Sequence, residues 1–186
     1  MKKFIYIFFV LFFIASCQKS NLTKKEKFIE DLISQMTLDE KVGQMMQINV
    51  TVIAKGPSKF SSSTPMEIDD NRANKALVDF KVGSVLNTIN NTAQKPSVWF
   101  ENISKIQEIA MNNNRLRIPV IYGIDAIHGT TYTDGATMFP QQIATAASWN
   151  PENAYNMAKV CAYETRASSI PWNFSPVLDL GLDPRF

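Results

Sequence analysis

A chain of 186 residues, 45% hydrophobic and 19% charged, has the length of one domain and the composition of an ordinary globular protein. Its formal charge of +2 rests on Lys2 and Lys3, and without them the chain is neutral. That balance provides no basic footprint for nucleic acid, which is excluded as a partner.

Residues 1–16 read as a signal peptide: Lys2 and Lys3 form a basic start, and Phe4–Ile14 is an apolar run too short to span a bilayer. Ile14-Ala15-Ser16-Cys17 resembles a bacterial lipobox, in which the cysteine is lipidated and becomes the new N-terminus. The other reading makes Cys17 an ordinary residue after a standard cleavage site. Lipidation implies an exported protein in the periplasm or at the cell surface, held to a membrane only through acyl chains, with residues 17–23 as tether. It also leaves Cys161 without a disulfide partner, as a packed thiol in a helical pattern.

Lys24–Met36 places Phe28, Leu32, Ile33 and Met36 at helical spacing. Thr37-Leu38-Asp39-Glu40 is a capping-box pattern, so a second helix starts near Leu38, and a first strand is expected within Met45–Ile53. Lys55–Pro65, rich in Gly, Pro, Ser and Thr, marks a surface loop. Glu67–Phe80 reads as a helix with Ala73, Ala76, Leu77 and Phe80 on one side, and Val82–Leu86 as a second strand. Ser97 is the expected N-cap of a helix over Val98–Asn113 whose buried stripe is Trp99, Ile103, Ile106 and Ala110. The apolar run Ile118–Ile124 predicts a third, buried strand. Pro140 opens a short helix through Ala147; Asn150 and Pro151 then supply the cap and first residue of a helix reaching about Ser169. Trp172–Leu178 is the fourth strand, with Asp179, Asp183 and Arg185 on the loop beyond it. Strand and helix alternate, which implies an α/β fold with parallel strands and crossover helices.

Asp125 stands where the third strand meets its loop, between Gly123 and Gly129. A carboxylate there is where α/β-barrel enzymes keep groups that handle substrate, and capping of the following turn is the other role open to it. His128 is the single histidine. No G-x-S-x-G elbow presents a serine to it, and no cysteine cluster joins it, so neither a Ser-His-Asp hydrolase nor a metal site is indicated. Its expected role is to bond backbone and shape the loop. Asp134, Asp179 and Asp183 are read as solvated or capping loop residues.

GIDAIHG, followed by GATMFPQQIATAASWNPE, resembles the N-terminal catalytic domain of glycoside hydrolase family 3, the β-glucosidase family. TLDEKVGQM (Thr37–Met45) and SPVLDLGLDPRF (Ser175–Phe186) resemble the same family in the same order, so the similarity runs from about Leu32 to the last residue. The resemblance implies that residues 24–186 form the N-terminal half of a TIM-type (β/α)8 barrel, about four strands where closure needs eight. It implies no cofactor, and a β-glucoside or β-linked oligosaccharide as substrate. In the family the Asp of GIDAxHG hydrogen-bonds hydroxyls of the terminal sugar, and the matching residue is Asp125. His128 and Arg185 are weaker candidates for substrate binding, since the family's sugar-binding Arg is the second of DPRxGR and Arg185 matches the first.

The family's nucleophilic Asp stands in a Ser/Thr-Asp-Trp context further downstream, and neither SDW nor TDW occurs in this chain. The later Lys-His pair and the domain that often supplies the acid/base Glu are also missing. The expectation is an exo-acting, retaining β-glucosidase of carbohydrate catabolism whose catalytic carboxylates lie beyond residue 186, so that this portion alone is inactive. A non-catalytic, sugar-binding surface lipoprotein is the alternative. A third outcome is a half-barrel with no stable fold, because its edges stay open.

Overall fold

The computed structural model describes residues 22–58 and 61–177, and the chain divides into two units, residues 1–36 and 37–186. The described part of the first unit is α1 (Lys24–Gln35). It opens on a capping box in which Thr23 Oγ1 accepts from the Glu26 amide and Glu26 Oε2 accepts from the Thr23 amide. Its apolar stripe is present in sequence, yet no residue of α1 is buried.

The second unit begins with the capping box expected at Thr37, which starts α2 (Leu38–Gln44). Glu40 Oε2 accepts from the Thr37 amide at 2.8 Å and pairs with Arg115 at 2.6 Å. Then come β1 (Gln47–Asn49), α3 (Asp70–Asn74), β2 (Ser84–Leu86), α4 (Pro96–Asn113), β3 (Ile121–Ile124), α5 (Gln142–Ala146), α6 (Pro151–Ala167) and β4 (Trp172–Asn173). The strands form one parallel sheet in the order β1-β2-β3-β4, so all four C-terminal ends share one edge.

Register sorts the side chains by face. Ile48, Val85 and Tyr122 pair across the sheet, as do Ile124 and Asn173, and this face meets the helices. Tyr122 is fully buried there, edge-on to Trp99 of α4 at 5.7 Å between ring centroids. Its hydroxyl donates to the Asn87 carbonyl at 2.6 Å, and burial pushes the phenol well above its ordinary pKa. The opposite row, Asn49, Leu86, Gly123 and Trp172, continues the side on which Ile121 lies. Ile121 is 51% and Trp172 41% exposed. In a closed barrel the helices cover the outside and strand side chains fill the interior, so the open face is the interior one.

Element boundaries depart from expectation for local reasons. β3 begins at Ile121 rather than Ile118. Pro119 has no amide to donate, and Gln107 of α4 takes both polar groups of Val120: its Oε1 accepts from the amide at 3.0 Å and its Nε2 donates to the carbonyl at 2.6 Å. β4 is short because one further rung, Phe174 N–H to Ile124 carbonyl, is followed by Ser175 and the donorless Pro176. Lys95, not Ser97, is the N-cap of α4, with Pro96 at the first helical position that suits it. The expected stripe Trp99, Ile103, Ile106 and Ala110 is buried. The helix expected over Glu67–Phe80 starts only at Asp70, capped by Asp69, and passes into a π-turn over Lys75–Asp79. The wider turn rotates Phe80 off the stripe of Ala73, Ala76 and Leu77, leaving it 58% exposed. Asn150 and Pro151 open α6 as expected.

Glu40 makes stability depend on pH. The Thr37 amide first, and then Arg115, hold its carboxyl below the ordinary 4.5. The group is ionised in both folded and unfolded chains above that value, so its stabilisation is complete there and is lost as pH falls through the depressed folded value. Glu40→Gln is expected to cost about 0.5 kcal/mol at pH 7, the screened figure for a pair whose arginine is half exposed. In urea denaturation that difference from wild type closes as the pH is taken below 4.5.

Candidate functional site

The loops that leave the C-terminal edge are knitted together by side chains. After β2, the buried Gln94 accepts from the Met66 amide through Oε1, and its backbone exchanges hydrogen bonds with Tyr132 and Asp134. Asn90 grips Ser62 at both amide and carbonyl. Asn102 of α4 donates to the Met66 carbonyl at 2.9 Å. These bonds fix the loops after β1 and β2 against the loop after β3.

That third loop is held equally firmly from α6. Thr130 and Thr165 hydroxyls meet at 2.8 Å, Thr133 and Ser168 at 2.9 Å, and Glu164 accepts from both the amide and the hydroxyl of Thr137. Cys161 is buried, and its thiol donates to the Ala126 carbonyl at 3.1 Å. From β4, Asn173 Oδ1 accepts from the Ala126 amide at 3.1 Å. Gly129 turns the chain at φ +108°, where an added Cβ would collide with the Thr137 carbonyl.

Asp125 is the first residue beyond β3, and it is exposed while Ile124 and Ala126 on either side are buried. Among the described residues no hydrogen bond or ion pair engages its carboxylate, so capping of the turn is not its role. His128 is half-buried; its carbonyl accepts from the Phe139 amide at 2.7 Å, and Nδ1 is buried without a partner among the described residues. The expected bond from the His128 ring to backbone is therefore not made through Nδ1. Asp134 is exposed and its amide donates to Gln94. Cys17, Asp179, Asp183 and Arg185 lie outside the described residues. Among the described residues no group of His, Cys, Asp and Glu is arranged to hold a metal ion, and no helix is long and apolar enough to cross a membrane.

A cavity of about 460 Å³ opens on the helix side of the same loops, lined by Ala126, Gln142, Met157, Cys161, Asn173 and Pro176 among others. It is mostly apolar and Asp125 does not line it. The polar group offered at this edge is therefore the exposed Asp125 carboxylate rather than this cavity. Sequence reading passed over Asn173 and Gln94. Their signal was an amide inside an otherwise apolar or turn-rich run, which implies a buried backbone group in need of a partner.

A parallel sheet with helices on one face, an open interior face and a free carboxylate at the C-terminal edge defines part of a TIM-type barrel domain. Residues 37–186 match the family described as "Glycosyl hydrolase family 3 N terminal domain", and the chain belongs to that family. The lysosomal beta glucosidase of Dictyostelium discoideum is 32% identical over 175 residues, covering 88% of this chain and 20% of that protein. The periplasmic beta-glucosidase of Salmonella typhimurium is 28% identical over 162 residues, covering 87% and 18%. The beta-glucosidase of Listeria innocua in complex with isofagomine superposes with a TM-score of 0.61 at 32% identity, covering 89% of this chain and 19% of that one. A mutant of it in complex with laminaribiose gives 0.62 at 30%, covering 89% and 20%. The chain spans about a fifth of the length of the curated relatives it matches.

Gly129→Ala tests whether the loop geometry is built in. The substitution meets both a left-handed backbone and a fixed carbonyl, and is expected to cost about 1–3 kcal/mol in urea denaturation. Amide exchange across residues 126–138 rises with it, and exchange in α4 does not beyond the global change.

Proposed function

We propose that this chain is the N-terminal portion of an exported, exo-acting, retaining β-glucosidase, and that Asp125 binds hydroxyls of the terminal sugar of a β-glucoside or β-linked oligosaccharide. The observation that carries this reading is the unpaired, exposed Asp125 carboxylate at the C-terminal edge of β3, in a family whose Dictyostelium and Salmonella relatives are named β-glucosidases. A carboxylate with no internal partner keeps its lone pairs for two sugar hydroxyls, and bonds to a charged acceptor are the stronger kind. His128 shapes the loop beside it, and Arg185 lies on the segment that follows β4.

Retaining hydrolysis uses two carboxylates about 5–5.5 Å apart, one forming a glycosyl-enzyme ester and the other acting as acid and then base. No residue of this chain takes either role in the proposal. Both come from chain downstream of residue 186, and the sugar held by Asp125 is thereby presented to them. Export follows from residues 1–16 as signal peptide, with Cys17 lipidated as the membrane anchor. The periplasmic naming of the Salmonella relative supports export.

Two experiments test the reading. The purified 186-residue chain is expected to leave an aryl β-glucoside uncleaved, whereas the protein from the complete reading frame cleaves it and loses about 100-fold in kcat/KM on Asp125→Ala. Glucose binding by calorimetry without hydrolysis in the longest reading frame would indicate the non-catalytic sugar-binding lipoprotein instead. For the anchor, Cys17→Ser is expected to shift the protein from the membrane fraction to the soluble exported fraction; unchanged membrane association overturns lipidation at that residue.

A further inference from the structure

Ala126, the residue that follows Asp125, is held at both its amide and its carbonyl. In a parallel ladder continuing from the Ile124–Asn173 pair, the rung after Phe174 N–H to Ile124 carbonyl would join the Ala126 amide to the Phe174 carbonyl. The Ala126 amide goes to Asn173 Oδ1 instead, at 3.1 Å, and that oxygen also accepts from the Ser175 amide at 3.2 Å. The Ala126 carbonyl accepts from the Cys161 thiol at 3.1 Å, and Asn173 Nδ2 donates to the same sulfur at 3.7 Å. Asn173, Ala126 and Cys161 therefore close a ring of three hydrogen bonds between β4, the β3 loop and α6. Cys161 and Ala126 are 4% and 2% exposed, so the ring is shielded from competing water.

We infer that Asn173 is a positioning residue for Asp125: by taking the Ala126 amide out of the ladder, it fixes the direction in which the Asp125 carboxylate leaves the sheet. The inference rests on the sugar-binding role proposed for Asp125. Asn173 itself lies on the helix face of the sheet, paired with Ile124, and acts only through backbone. Cys161 braces the carbonyl of the same residue, Ala126. A displacement of about 1 Å at such a group is enough to cost on the order of 100-fold in rate.

The test is a double-mutant cycle in the protein from the complete reading frame, read as kcat and KM on an aryl β-glucoside. Asn173→Ala is expected to lower kcat/KM by about 10- to 100-fold. In an Asp125→Ala background the same change has little further effect, because the group it positions is gone. A merely structural asparagine lowers melting temperature and active fraction equally in both backgrounds, and that additive result overturns the inference. Asn173→Asp, which keeps the oxygen that accepts from Ala126, restores most of the loss; a loss as deep as that of Asn173→Ala counts against it. Should Asn173→Ala fail to fold, Cys161→Ala, which removes the donor to the Ala126 carbonyl, enters the same cycle with a smaller expected effect. Full activity of Asp125→Ala overturns the sugar-binding reading and this inference with it. A large loss with Asp125→Ala and none with Asn173→Ala overturns the positioning role alone.

Discussion

Backbone that leaves a parallel sheet loses its ladder partners, and at this edge side chains take their place. Gln94 supplies the Met66 amide, Asn102 the Met66 carbonyl, Glu164 the Thr137 amide and Asn173 the Ala126 amide. Each such bond adds only about 1 kcal/mol net, but a buried polar group left without one costs about 1–3 kcal/mol. At the buried Met66 and Ala126 the loops are thus held less by attraction than by the penalty for letting go. This explains why Gln94, Asn102, Thr130, Thr165 and Ser168 remain polar although all are buried. The rigid frame they make leaves Asp125 as the residue facing water between two buried neighbours.

Much of this was legible in the chain. The alternation of strand and helix, the Thr37 capping box, the inner stripe of α4 and the Asn150-Pro151 start of α6 follow from local rules that tertiary structure did not override. The position of Asp125 at the end of β3 was read from an apolar run meeting two glycines, and the fold puts it there. What escaped were effects of distant partners. Gln107 cannot be seen to shorten β3 from thirteen residues away, and nothing local announces the π-turn that carries Phe80 into solvent. Asn173 looked like one strand residue among others, since its partners, Ala126 and Cys161, lie elsewhere in the sequence. Local propensity sees caps and stripes; it does not see which backbone groups a fold will strand.

The two faces of the sheet divide the labour. The helix face is finished: Tyr122, Val85 and Ile124 are fully buried against it. The other face, bearing Ile121 and Trp172, is dressed with side chains but not covered. Family membership gives this asymmetry its meaning, because a barrel's helices wrap its outside while its interior is sealed by the strands on the far side. Trp172 and Phe174 already meet edge-on at 4.7 Å there, and the missing side chain of Gly123 makes room for the Phe174 ring.

The two-point hold of Gln107 on Val120 has a consequence for accuracy along the strand axis. A slip of β3 by two positions keeps every apolar side chain on its proper face, so hydrophobic alternation alone does not forbid it. Such a slip would carry Asp125 about 6.6 Å along the sheet. The carboxamide of Gln107, clasping both backbone groups of one residue from a rigid helix, acts as a zero mark from which the strand is measured. How far the carboxylate projects past its neighbours is therefore set at the opposite end of the strand, five residues earlier.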